Sequence, residues 1–162
     1  MKVSLKGNEA KLEGKQPELY DKAPQFSLKD LDGQEVSLEK LAGEKILLSV
    51  FPDIDTSVCA TQTRTFFKKA SEYKDLKILN ISNNSQEEMR NWCATNGIDS
   101  KMLSDKDLEF AKAYGLYIPK FEVLARSVFV IDQNGKIAYR EILDEMVNEP
   151  DYEAAFKAVE QL

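Results

Sequence analysis

The chain has 162 residues, 43% hydrophobic and 31% charged, a size and balance that suit one globular domain spanning residues 1–162. Its 28 acidic residues outnumber 22 basic ones, and the net charge of -6 opposes long-range attraction to nucleic acid or anionic membrane surfaces. Histidine is absent, which excludes a Cys-His protease, a Ser-His-Asp hydrolase and any histidine-containing zinc site, and two cysteines cannot complete a thiolate zinc site.

The opening segment MKVSLKGNEAKLEG scatters charges through its length, so it lacks the apolar stretch of a signal peptide, and no later segment approaches a membrane span. The expected location is the cytoplasm. Thiols there are kept reduced, so a cysteine pair is more often catalytic or redox-sensing than a permanent staple. The two cysteines do not form a C-x-x-C pair, which argues against a disulfide reductase of the thioredoxin type.

In chain order, Lys2 to Leu12 alternates weakly around Gly7-Asn8, and Phe26 to Leu38 forms two short runs around Asp32-Gly33; each predicts a hairpin. Pro17 and Pro24 make the stretch between them an extended connection. Lys45 to Phe51 (KILLSVF) and Leu76 to Ser82 (LKILNIS) are continuous apolar runs, expected of central strands buried on both faces. From Val58 to Tyr73 there is neither Gly nor Pro, and Cys59, Phe66, Phe67 and Ala70 fall near helical spacing.

Ser85 to Thr95 predicts a second helix, with Ser85 as N-cap, Glu88 completing a capping box and Asn96-Gly97 as the stop. A short helix from Asp107 to Tyr114 is expected to end at Gly115. Arg126 to Asp132 and Lys136 to Ile142 read as strands joined by a turn at Asn134-Gly135, and a last helix follows Pro150. The order predicts an α/β fold with a central mixed sheet covered by helices on both faces and an N-terminal β-hairpin extension.

The chemistry concentrates where the first central strand ends. Phe51-Pro52-Asp53-Ile54-Asp55-Thr56-Ser57-Val58-Cys59 leaves the strand's C-terminal edge, where ligand sites commonly form, and puts Cys59 in the first helical turn. With Thr56 as N-cap, its hydroxyl is expected to face the N–H at the third helical position, which is Cys59 itself. Unpaired amides and the positive end of the helix dipole favour a thiolate there without a neighbouring base.

Pro52, Thr56 and Cys59 match P-x-x-x-T-x-x-C, and the chain in this respect resembles the peroxiredoxins. Asp53-Ile54-Asp55-Thr56, Val58-Cys59, Thr63-Arg64, Cys93, the Ala125-Arg126 to Ile131-Asp132 strand and Glu149-Pro150-Asp151-Tyr152 extend the similarity to the bacterial thiol peroxidases, or atypical two-cysteine peroxiredoxins. The resemblance implies a thioredoxin-like fold and a thiol peroxidase that uses no metal, haem or flavin. It places Cys59, Thr56 and Arg126 in one pocket, where Arg126 and Thr56 hold the peroxide oxygens and Pro52 shields the thiolate.

By the same resemblance, Cys59 becomes a sulfenic acid and Cys93, 34 positions downstream on another helix, resolves it as an intramolecular disulfide that thioredoxin reduces. A homodimer is implied as well. The two sulfurs meet only if their Cα atoms come within roughly 7 Å, so a helix end is expected to unwind. Many relatives have glycine where Ser57 stands, a change that removes no proposed catalytic group.

Plainer readings stand beside these. A lone cysteine on an apolar helix face is more often packing than chemistry, and Cys93 lies beside Met89 and Trp92. Thr56 serves equally as a simple cap, an arginine at a strand start is usually solvated, and Trp92, Phe66 and Phe67 read as core. A redox switch working through a Cys59–Cys93 disulfide, or a binding module with inert cysteines, are the competing functions; catalytic turnover separates the three.

Overall fold

The structure, a computed structural model, describes residues 1–162. Strands β1 (Lys2–Leu5) and β2 (Asn8–Lys11) pair antiparallel as a hairpin outside the main sheet. Its turn centres on Lys6-Gly7 rather than Gly7-Asn8. Both residues have positive φ, 53° and 84°, so the tight turn closes on the Leu5–Asn8 pair.

The central sheet draws on seven strands: β3 (Ser27–Lys29), β4 (Glu35–Ser37), β5 (Lys45–Val50), β6 (Leu76–Ser82), β7 (Met102–Ser104), β10 (Ser127–Ile131) and β11 (Ile137–Ile142). Their order is β11-β10-β5-β6-β7-β3-β4, with β5, β6 and β7 mutually parallel and the other pairings antiparallel. The sheet is therefore mixed, as expected, and the Asp32-Gly33 hairpin supplies one edge. The short β7, and a two-stranded ribbon of β8 (Tyr117–Ile118) with β9 (Val123–Leu124), were not foreseen; two or three residues carry no readable alternation.

Four helices accompany the strands: α1 (Ser57–Ala70), α2 (Gln86–Asn96), α3 (Glu109–Tyr114) and α4 (Tyr152–Glu160). The capping box at Ser85 and Glu88 forms as read, and Gly97 closes α2 in the left-handed conformation, its N–H reaching the Cys93 carbonyl. α3 starts two residues later than expected. The carboxylate of buried Asp105 accepts the N–H groups of Phe110 and Ala111 at 2.9 Å each, doing the capping from outside the helix. Gly115 ends α3 where a Cβ would stand 2.5 Å from the Lys15 carbonyl oxygen, so only glycine fits.

Alternation on the central strands sorts the core into two layers. Leu48, Val50, Phe129 and Ile131 face a cluster containing Phe110 and Tyr114 of α3, whereas Leu47, Val128 and Val130 face Phe66 of α1 with Phe156 and Val159 of α4. A third, smaller cluster sits at the C-terminal edge of β5. It joins Phe51, Ile54, Cys59 and Ala60 to Met89 and Trp92 of α2 and to Met102, with Cys93 half-buried against it.

Candidate active site

Strand β5 delivers the chain to its C-terminal edge, and the loop from Phe51 to Thr56 turns it into α1. Ile54, fully buried, plugs that loop into the third cluster, and Cys59 follows in the first turn of α1 with no exposed surface. Burial of a lone thiol is ordinary packing; the polar groups around this one are not. The Nη1 of Arg126 donates to Cys59 Sγ at 3.3 Å, and the Asp53 backbone N–H donates to the same sulfur at 3.5 Å.

Arg126 immediately precedes β10, whose first residue pairs with Val50 at the end of β5, and this register carries the guanidinium to the sulfur. It is only 3% exposed, not the solvated charge that strand-start arginines usually are. Its Nε donates to the Met146 carbonyl at 2.8 Å and its Nη1 also donates to Gln62 Oε1 at 2.9 Å. Gln62 is buried on α1, three residues after Cys59. Its Nε2 donates to Ser49 Oγ and the Val50 carbonyl, which leaves the amide oxygen to face the arginine. A cation buried this deeply requires such a set of acceptors.

Thr56 stands at the N-cap by its extended backbone, φ -92° and ψ 151°, yet its side chain caps nothing. The expected contact with the Cys59 N–H does not form. Instead the Thr56 hydroxyl donates to the Asp53 carbonyl at 2.8 Å, because the loop turns back there and the Thr56 N–H reaches the same oxygen at 3.1 Å. The hydroxyl is exposed, near the end of the helix that carries Cys59. Pro52 lies half-buried in the same loop, and Ser57 opens α1 from an exposed position.

Cys93 occupies the last turn of α2, and both thiols are free. Burial pushes the Cys93 thiol above the ordinary range, and the negative charge of Asp99 adds to the shift. That turn is held from α1. Arg64 donates to Asn96 Oδ1 at 2.6 Å and lies 5.6 Å over the Trp92 ring, while Asn96 Nδ2 donates back to the Trp92 carbonyl at 2.8 Å. Beside α1 on the same face of the sheet, Asp151 caps α4 by accepting the Ala154 N–H, and the Tyr152 ring meets Phe66 edge-on at 5.2 Å.

The pattern of the AhpC/TSA family matches residues 19–140. The chain belongs to the AhpC/TSA family. Within that family its relatives include the thiol peroxidase of Bacillus subtilis, 39% identical over 99% of this chain and 97% of the relative, and that of Staphylococcus saprophyticus, 43% identical over 96% of each. These put the chain on the thiol peroxidase branch that its motif resembles. Among solved structures, a peroxiredoxin-like protein from Aquifex aeolicus superposes with a TM-score of 0.90 at 28% identity, covering 99% of this chain and 97% of that one. A Chromobacterium violaceum thiol peroxidase, 20% identical with a TM-score of 0.89, shares the fold. The family's thioredoxin-like architecture with its N-terminal hairpin is thus the one observed. No helix is long and apolar enough to cross a membrane.

The residue reading missed Gln62, Asn84 and Met146, and named Asp53 only within the motif, with no role. Gln62 had a usable signal: a position three after Cys59 on a helix shares its face.

Proposed function

We propose that this peroxiredoxin-type, thiol-dependent peroxidase reduces hydrogen peroxide and organic hydroperoxides with Cys59 as the attacking sulfur and Cys93 as the resolving one. The observation that carries this reading is the paired donation to Cys59 Sγ from Arg126 Nη1 and the Asp53 N–H, which favours negative charge on a sulfur otherwise sunk in apolar surroundings. The thiolate attacks one peroxide oxygen; the S–O bond forms as the O–O bond breaks, and the leaving oxygen takes a proton to depart as water or alcohol. Arg126 and the Thr56 hydroxyl stabilise the charge that develops on those oxygens, and Pro52 limits the approach of water.

Cys59 is then a sulfenic acid. The Cys93 thiol gives up its proton and attacks that sulfur; the S–S bond forms as the S–O bond breaks, and the departing hydroxide takes the proton to leave as water. Cys59 and Cys93 pack against one cluster, and the turn of α2 that holds Cys93 must loosen for the sulfurs to meet. In the cytoplasm the dithiol of thioredoxin reduces the disulfide and returns both thiols. No metal or organic cofactor enters this cycle, and the working form is a homodimer.

Hydroperoxide consumption coupled to thioredoxin, thioredoxin reductase and NADPH tests the reading. Turnover abolished by Cys59→Ser and strongly reduced by Cys93→Ser is expected. Normal turnover in Cys93→Ser replaces the resolving step with a one-cysteine cycle. An intact protein that forms the disulfide but does not turn over is a redox switch, and one with unreactive thiols is a binding module.

A further inference from the structure

We propose that Asn84 is a positioning residue of the peroxidatic loop: its side-chain amide fixes where the Asp53 N–H and the Thr56 hydroxyl stand around Cys59. The inference rests on Cys59 being the attacking sulfur. Asn84 lies two residues beyond β6, 7% exposed, with its own backbone anchored at both ends: its N–H meets Ser82 Oγ at 3.1 Å and its carbonyl accepts from Ser104 Oγ of β7 at 2.6 Å. It is a fixed point on the sheet, and the loop before α1 hangs from it.

Every side-chain bond of Asn84 is directional. Oδ1 accepts from the Ile54 N–H at 2.9 Å and from Ser82 Oγ at 2.8 Å; Nδ2 donates to Asp53 Oδ1 at 3.0 Å and to Glu88 Oε2 at 3.2 Å. A backbone N–H only donates and the carboxylates, when ionised, only accept, so the amide has one possible orientation. Two consecutive loop residues are thereby held by one side chain. Asp53 in turn presents its N–H to Cys59 Sγ and its carbonyl to the Thr56 hydroxyl. The Ile54 N–H that Asn84 holds shares a peptide unit with the Asp53 carbonyl, so losing that hold would let the unit rotate away from Thr56, and the changed torsions at Asp53 would carry its own N–H off the sulfur.

The same amide reaches α2. Glu88 is the capping-box residue of the helix that carries Cys93, and its other oxygen accepts the Ser85 N–H at 3.0 Å. Asn84 thus anchors the loop before Cys59 and the first turn of the Cys93 helix to one point, while the last turn of α2 is held separately, by Arg64 of α1. The titratable groups facing this point are Asp53 and Asp55 from the loop and Glu88 from α2, whose oxygens lie within 4.8 Å of one another. They need a donor between them.

The test is the second-order rate of Cys59 oxidation by hydrogen peroxide, read by competition with a haem peroxidase, across pH 5 to 7. Asn84→Asp replaces the donor with a fourth carboxylate, and a loss of about ten- to a hundredfold at pH 7 is expected from a misplaced loop. The ratio of variant to wild type should climb as pH falls, because a protonated carboxyl donates again. Adding Asp53→Asn should restore most of the pH 7 rate by exchanging donor and acceptor. A loss independent of pH and untouched by Asp53→Asn means that Asn84 only supports the fold, and overturns the proposal. Should Asn84→Asp fail to fold by thermal melting, Asp53→Ala in the half-exposed loop reads the same link: about a threefold slower first step supports it and an unchanged rate overturns it. Cys59→Ser in parallel separates the two claims, since peroxide reduction surviving there defeats the Cys59 reading and leaves nothing for Asn84 to position.

Discussion

Cys59 and Cys93 pack against one apolar cluster yet meet opposite polar surroundings. Around Cys59, in the first turn of α1, the fold gathers two donors: a buried guanidinium tied down by Gln62 and Met146, and the Asp53 N–H of a loop that Asn84 holds. Around Cys93 there are none, only partial burial and the charge of Asp99, both of which favour the neutral thiol. One sulfur is held ready in a rigid frame, while the other waits protonated at a helix end. The difference suits an order of events in which Cys93 acts only after Cys59 has changed.

The sharpest attack on this contrast is Arg126→Lys. It keeps the charge but loses the fork that spans Cys59, Gln62 and Met146, and the rate of Cys59 oxidation by peroxide should fall about 10²- to 10³-fold in competition kinetics. A rate within threefold of wild type would remove Arg126 from the chemistry. Gln62→Leu leaves the guanidinium short of an acceptor; about a tenfold loss in the same rate is expected, with roughly 1–3 kcal/mol lost in urea unfolding. If stability falls and the rate does not, the glutamine is packing alone.

Two further substitutions address Cys93. Arg64→Ala releases Asn96 and Trp92, and with them the last turn of α2, from α1, so disulfide formation after a peroxide pulse should quicken about threefold while Cys59 oxidation keeps its rate. Slower disulfide formation would mean the clasp presents Cys93 rather than restrains it. The smallest effect is expected from Asp99→Asn in a Cys59→Ser background. The thiolate of Cys93 appears only as pH rises past its raised titration point; removing the nearby negative charge lowers that point, so alkylation at pH 7.5 should rise by less than about twofold. An unchanged or higher titration midpoint would dismiss Asp99 as a contributor.

Much of the frame was readable because it depends on local patterns. The runs at β5 and β6 name their own burial, Ser85 and Glu88 write a cap, and the motif from Pro52 to Cys59 marks the reactive turn. What failed depended on groups distant in sequence. Thr56 sits where expected, but its hydroxyl found the Asp53 carbonyl, a competitor that only the loop's path brings close. Gln62 and Asn84 are polar residues of the sort that usually face water. Their worth comes from Arg126, 64 residues away, and from Ile54, 30 residues away, pairings that no periodicity announces.

The Met146 carbonyl that holds Arg126 belongs to a segment fastened to the start of the chain: the Ser4 N–H reaches the Asp144 carbonyl and the Met146 N–H reaches the Ser4 carbonyl. The pairing of β10 with β5 can bring Arg126 up to Cys59 before the carbonyl that orients its guanidinium is in place. That carbonyl is fixed only when β1 meets a segment 140 residues away in sequence. Full reactivity at Cys59 therefore rests on one of the longest-range closures of the fold, and a local opening of β1 leaves the thiol facing an arginine that is no longer fully held.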